Sequence, residues 1–134
     1  MKQLEEKGQT IQWLKSVFSP RRTLLVIDMQ NDFISGSLPV PGAEEIVDKI
    51  EELTDMDIWY QVLYSQDWHP QDHISFFSNL GLRQLDPTWI SVNNIQVENI
   101  KMFDEVVFKR YPPYTQKLWP DHVVQGSEGK MLLV

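Results

Sequence analysis

Two apolar runs bracket a helical stripe in the first half of the chain, and that order constrains the fold more than any other feature. TLLVID, residues 23–28, is a continuous apolar run closed by a carboxylate, the pattern of a strand covered on both faces. IWYQVLYS, residues 58–65, is a second such run. Between them the turn-rich SGSLPVPG, residues 35–42, leads into a helix starting near Ala43, with Ile46, Val47, Ile50 and Leu53 on one apolar stripe. Glu44 and Glu45 favour its N-terminal end. Strand, helix, strand predicts a parallel βαβ unit, because parallel neighbours need a long crossover. In such sheets functional groups collect beyond the carboxyl ends of the strands. Asp28 closes the first strand, while Asp67 and His69 follow the second, so both positions fall on one edge of the sheet.

The remainder is less regular. Residues 1–20 read as an N-terminal helix or arm, with Ile11, Leu14, Val17 and Phe18 at helical spacing and Pro20 closing it. Residues 21–134 read as one α/β domain. From 79 to 101 polarity is mixed and no period emerges, which predicts a long loop with a single helical turn. DEVVFKR, residues 104–110, predicts a short strand, and YPPYTQKLWPDH an irregular, proline-punctuated segment.

Composition narrows the function classes. A chain of 134 residues suits one domain. Twelve basic against nineteen acidic side chains give a formal charge of −7, which argues against a nucleic-acid surface. No window is apolar over the length needed to cross a membrane. The N-terminus lacks the apolar core and small-residue cleavage site of a secretory signal, so a cytoplasmic or nuclear location is expected. Cysteine is absent, which removes disulfides, thiolate ligands and a cysteine nucleophile together.

The chemistry concentrates in LYSQDWHPQDH, residues 63–73. Asp67 and His69 form a D-x-H chelate of one carboxylate and one imidazole, a mixed set suited to zinc, manganese or ferrous iron. Pro70 stops the strand, so the pair lies on a loop that the strand anchors. The competing reading is ordinary loop polarity. His73 would face the same way as His69 only on a helix; otherwise it hydrogen-bonds within its own loop. His122, in WPDHVVQG, is the third histidine, and spacing alone does not tie it to the first two.

Four blocks, LLVIDMQNDF, SGSLPVPGA, YSQDWHPQDHISF and LWPDHVVQGSEG, together resemble the nicotinamidase branch of the isochorismatase-like hydrolases over most of residues 23–129. The resemblance implies a three-layer α/β fold, a mostly parallel sheet with flanking helices, incomplete here at the C-terminus. It implies hydrolysis of nicotinamide to nicotinate and ammonia, a step in pyridine-nucleotide salvage. Asp28 matches the family's proton acceptor and donor beside a cysteine nucleophile. Asp67, His69 and His122 match the ligands of a divalent metal, zinc first with manganese or iron as alternatives, and His73 joins them in some members. Phe33 and Trp119 match the aromatics that line the pyridine pocket, where the metal orients the ring through its nitrogen or a bound water. The partners implied are nicotinamide and, as an option, a second copy of the chain, with no nucleic acid and no membrane.

One departure bears on activity. The family's nucleophilic cysteine and its lysine lie downstream of the WPxH block. Lys109 and Lys117 precede that block, Lys130 follows it too closely, and no motif prepares Ser127 as a substitute. The expectation is a C-terminally truncated nicotinamidase that turns nicotinamide over negligibly. The alternative is a non-catalytic metal-binding fragment or isoform that pairs with an intact subunit. An incomplete sheet would also leave an apolar edge open.

Overall fold

The computed structural model describes residues 11, 13, 14, 17, 19, 21–110 and 112–132. Of the N-terminal arm, residues 11, 13, 14 and 17 are helical. Phe18 and Pro20, with residues 1–10, 12, 15 and 16, lie outside the described residues.

The βαβ unit forms as the hydrophobic pattern requires. Strand β1, Thr23–Ile27, pairs in parallel with β2, Gln61–Ser65, with Val26 opposite Tyr64 and Ile27 opposite Ser65. A short helix α1, Asn31–Ile34, follows β1 directly. Gly42, at φ +81, turns the chain into a 3-10 segment, Ala43–Ile46, that continues as α2, Val47–Thr54. Val47 and Ile50 of α2 pack against Leu24, Val26 and Val62, together with Met29, Ile34 and Ala43. Ile46 and Leu53, at the two ends of the expected stripe, stay substantially exposed. The second apolar run enters its strand later than expected. Trp59 donates its indole N–H to Leu53 O at 2.6 Å, closing the end of α2, so pairing begins only at Gln61.

Among the described residues, one face of β1 is covered. Val26 is buried, whereas Leu25 and Ile27 are 55% and 62% exposed, and Leu63, opposite Leu25, is 47% exposed. Alternation places these three on the face away from α2. The described residues supply a helix to one side of the pair, and on the other side they leave Leu25, Ile27 and Leu63 exposed.

A second core lies around an antiparallel pair, β3, Glu105–Phe108, and β4, Tyr114–Lys117. Leu85, Val106, Phe108 and Leu118 are its buried members, with Trp89, Ile90 and Phe77 against them. The stretch expected to be mostly loop contains more helix than a single turn. A 3-10 segment spans Phe77–Leu82, α3 spans Pro87–Val92, and another 3-10 turn spans Val97–Asn99. Asp86 caps α3 by accepting the Trp89 N–H at 2.8 Å, and Pro87 occupies the first turn, where a missing N–H costs nothing. The segment expected to be irregular holds β4, which is mostly exposed and is held by its antiparallel pairing with β3.

Candidate metal centre

Two loops far apart in sequence are laced together by main-chain hydrogen bonds. His69 N donates to Val123 O at 3.1 Å, and Gln125 N donates to His69 O at 2.8 Å. Further along, Trp119 N donates to Ser75 O at 2.7 Å and Phe77 N to Trp119 O at 2.8 Å. These are parallel-type bridges, His69 to Val124 and Phe76 to Trp119, made without a continuous strand. They carry His122 to the carboxyl end of β2, where Asp67 and His69 already sit.

One donor atom from each of Asp67, His69 and His122 lies within 4.8 Å of the others. His69 Nε2 is 3.6 Å from Asp67 Oδ1, and His122 Nε2 is 3.7 Å from Asp67 Oδ2. A tetrahedral ion with bonds of about 2.1 Å would set such edges at about 3.4 Å, close to the two Asp67–imidazole distances, while the widest of the three separations would contract to hold a cation. His122 Nδ1 lies 2.7 Å from Pro120 O, and since a carbonyl only accepts, Nδ1 is the donor and Nε2 is the nitrogen turned toward Asp67. His69 Nδ1 is buried with no hydrogen-bond partner, so no contact at that nitrogen fixes the tautomer of this ring. Both rings are largely buried, and Asp67, 37% exposed, forms the open side. The donor set and its access therefore suit a divalent metal.

Phe76 is the floor of the site. It is fully buried, and its ring centre lies 5.3 Å from that of His69, 5.6 Å from His73 and 5.5 Å from His122, all edge-on. Such edge contacts fix ring planes as well as fill space. Phe76→Ala is expected to lower the unfolding free energy by about 3–5 kcal/mol, read by urea denaturation, because it removes a large side chain from a packed interior.

His73 does not join the three. Its Nδ1 is 2.7 Å from Ser75 Oγ, a bond within its own loop, while its ring lies 4.3 Å from that of His69. Burial, and then the neighbouring His69, hold its pKa below the usual imidazole value, so it favours the neutral ring.

Gln30 gave no sign in the sequence, yet it sets Asp67. It is fully buried, accepts the Asp67 N–H at 2.7 Å through Oε1, and donates from Nε2 to Asp67 O at 3.0 Å and Lys130 O at 2.9 Å. The amide thus treats the backbone of Asp67 as a neighbouring strand would. Gln30→Leu keeps the volume but strands these groups, and is expected to cost about 1–3 kcal/mol by chemical denaturation.

The other positions are distributed over two cavities. Trp119 lines the same cavity as Asp67, His69 and His122, about 350 Å³, together with Leu38, His73, Ser75 and Gln116. Asp28 and Phe33 line a separate apolar cavity of about 470 Å³ with Met29, Ile34 and Pro41. Phe33 connects the two, since its ring centre is 5.8 Å from that of His122. Asp28 has φ +52, just past β1, and its Oδ1 accepts the Ser65 hydroxyl at 2.7 Å. That bond ties the ends of β1 and β2 together.

No protein-family model matches the sequence. Individual proteins do. The chain is 37% identical over 119 residues to the nicotinamidase of Escherichia coli, covering 84% of this chain and 45% of that protein. It is 39% identical over 112 residues to the nicotinamidase of Acinetobacter baylyi, covering 81% and 41%, and 51% identical over 63 residues to that of Saccharomyces cerevisiae, covering 43% and 29%. Among solved structures, the yeast nicotinamidase bound to the inhibitor nicotinaldehyde superposes with a TM-score of 0.63 at 30% identity, covering 84% of this chain and 48% of that one. An Acinetobacter baumanii nicotinamidase/pyrazinamidase gives 0.60 at 29% identity, covering 85% and 45%. The fold is therefore the isochorismatase-like α/β fold, over about half of its usual extent. Within that class the chain is similar to nicotinamidases, and it spans less than half the length of the curated relatives it matches.

Proposed function

We infer that these residues form the metal-binding and ring-binding part of a nicotinamidase-type site, which hydrolyses nicotinamide to nicotinate and ammonia. The observation that carries this reading is the convergence of Asp67, His69 and His122 donor atoms within 4.8 Å. When bound there, a divalent cation, zinc first with manganese or iron as alternatives, would supply a Lewis-acidic point that orients the pyridine ring. Trp119 borders the cavity in which that ring would lie, and Phe33 approaches the ligands from the other side. Asp28 is the carboxylate assigned to proton transfer. Its bond to the Ser65 hydroxyl leaves the other oxygen to accept a proton.

The attacking group is not among these 134 residues, which contain no cysteine. A thiolate attacks an amide carbonyl near neutral pH, whereas an unassisted serine hydroxyl does not. The chain by itself is accordingly a binder of metal and ring. The face of Leu25, Ile27 and Leu63, exposed among the described residues, favours a second reading, in which the chain pairs with another polypeptide that covers it. No helix among the described residues is long and apolar enough to cross a membrane. A cytoplasmic or nuclear setting is the one proposed for it. Elemental analysis of the purified chain tests the site: metal at sub-stoichiometric level, unaltered by Asp67→Ala, would reject it.

A further inference from the structure

We propose that Asp32 is a positioning residue for the metal ligands, acting through the main chain of Val123; the inference rests on the metal reading above. Asp32 Oδ2 accepts the Val123 N–H at 2.6 Å, a contact between residues 91 apart in sequence. A short bond from an N–H to an ionised oxygen is stronger than a neutral one. Val123 needs such a hold. It is fully buried and has φ +43, a left-handed conformation that a β-branched residue adopts only when its surroundings impose it.

Val123 bears on both imidazole ligands. It follows His122 directly, and its carbonyl accepts the His69 N–H at 3.1 Å. Releasing its N–H lets the backbone relax toward negative φ, which turns His122 and withdraws the carbonyl from His69. Asp32 also reaches the cavity rim, since its own carbonyl accepts the Leu38 N–H at 3.1 Å and Leu38 lines the cavity of the ligands. Its other carboxylate oxygen accepts the Ser37 N–H at 3.1 Å, so the side chain is braced on the side opposite Val123.

Two glycines make room for this carboxylate. A Cβ at Gly129 would overlap the Asp32 carboxylate, and one at Gly36 would overlap its Oδ1 and Cα. Gly129 therefore offers a way to displace the carboxylate without removing it. Outer groups that orient metal ligands are worth about 10–100-fold in metal affinity.

The test is titration of the purified full chain with Co(II), followed by visible absorption, at a temperature where circular dichroism shows every variant folded. Asp32→Ala and Gly129→Ala are each expected to weaken Co(II) binding about 10–100-fold. Asp32→Asn, which keeps an oxygen for Val123, is expected to recover most of the affinity. In the metal-free chain the Val123 amide is expected to exchange with deuterium faster in Asp32→Ala than in wild type. Wild-type affinity in both Asp32→Ala and Gly129→Ala would overturn the inference and leave the metal site standing. A wild-type chain that takes up no Co(II) would instead overturn the metal reading beneath it. If Asp32→Ala does not fold, Gly129→Ala decides alone.

Discussion

The purified chain is expected to hold an equivalent of divalent metal, and Asp67→Ala or His122→Ala to weaken that binding by more than about a hundredfold, because even an outer group is worth roughly 10–100-fold. Asp67 matters most in the geometry. Its two carboxylate oxygens each face one imidazole nitrogen, at 3.6 Å and 3.7 Å, so one substitution removes the anion that both rings share. Removing His122 leaves a D-x-H pair on a single loop, the minimal chelate that the sequence displays on its own. His73→Ala is the control. Its Nδ1 is engaged by Ser75, so metal content should stay near that of wild type. Competition with a chromophoric chelator reads the affinities. Retention of metal by both the Asp67 and His122 variants would mean that the ion sits elsewhere.

Nicotinamide hydrolysis by the same chain is expected to lie about six powers of ten below that of a cysteine-bearing nicotinamidase, the scale of loss when a nucleophile is removed from an otherwise assembled site. The proposed ring-binding side of the cavity would not compensate, since positioning accelerates only a reaction that has an attacking group. Asp28 has the proton-transfer assignment but no thiol among these residues to serve. An ammonia-release assay coupled to a dehydrogenase provides the measurement. Release at an appreciable rate, abolished by Asp28→Ala, would require an attacking group other than cysteine and would overturn the division of labour proposed here.

The parallel pair and its crossover helix were legible because apolar periodicity reports which face of an element is buried. The pattern was silent on whether a partner covers each face, and Leu25 and Ile27 read the same whether covered or open. Strand β4 escaped because YTQK, flanked by prolines, carries no alternation; it is held by its register with Val106 and Phe108. Helix α3 did leave a local signal, Asp86 before Pro87, which the mixed polarity around it obscured.

The ligands divide in the same way. Asp67 and His69 announce themselves by spacing, while His122 was tied to them only by resemblance to a family. The structure supplies the physical link in the lacing of residue 69 to residues 123 and 125. Gln30 and Asp32 were silent because each acts on main chain remote in sequence, at residues 67, 130 and 123, and such contacts have no periodic trace. Phe76 packs on His69 and His73 nearby and on His122 far along the chain, and a lone aromatic in an irregular segment does not announce that.

The lacing has a kinetic corollary. Asp32 meets Val123 across 91 residues and Gln30 meets Lys130 across 100, so the coordination pocket comes into being only when the largest loops of the chain have closed. Ion capture then coincides with the final docking event of folding, and a chelating dye would serve as a clock for it. An ion present during refolding would stabilise the closed ensemble without hastening the search that precedes it.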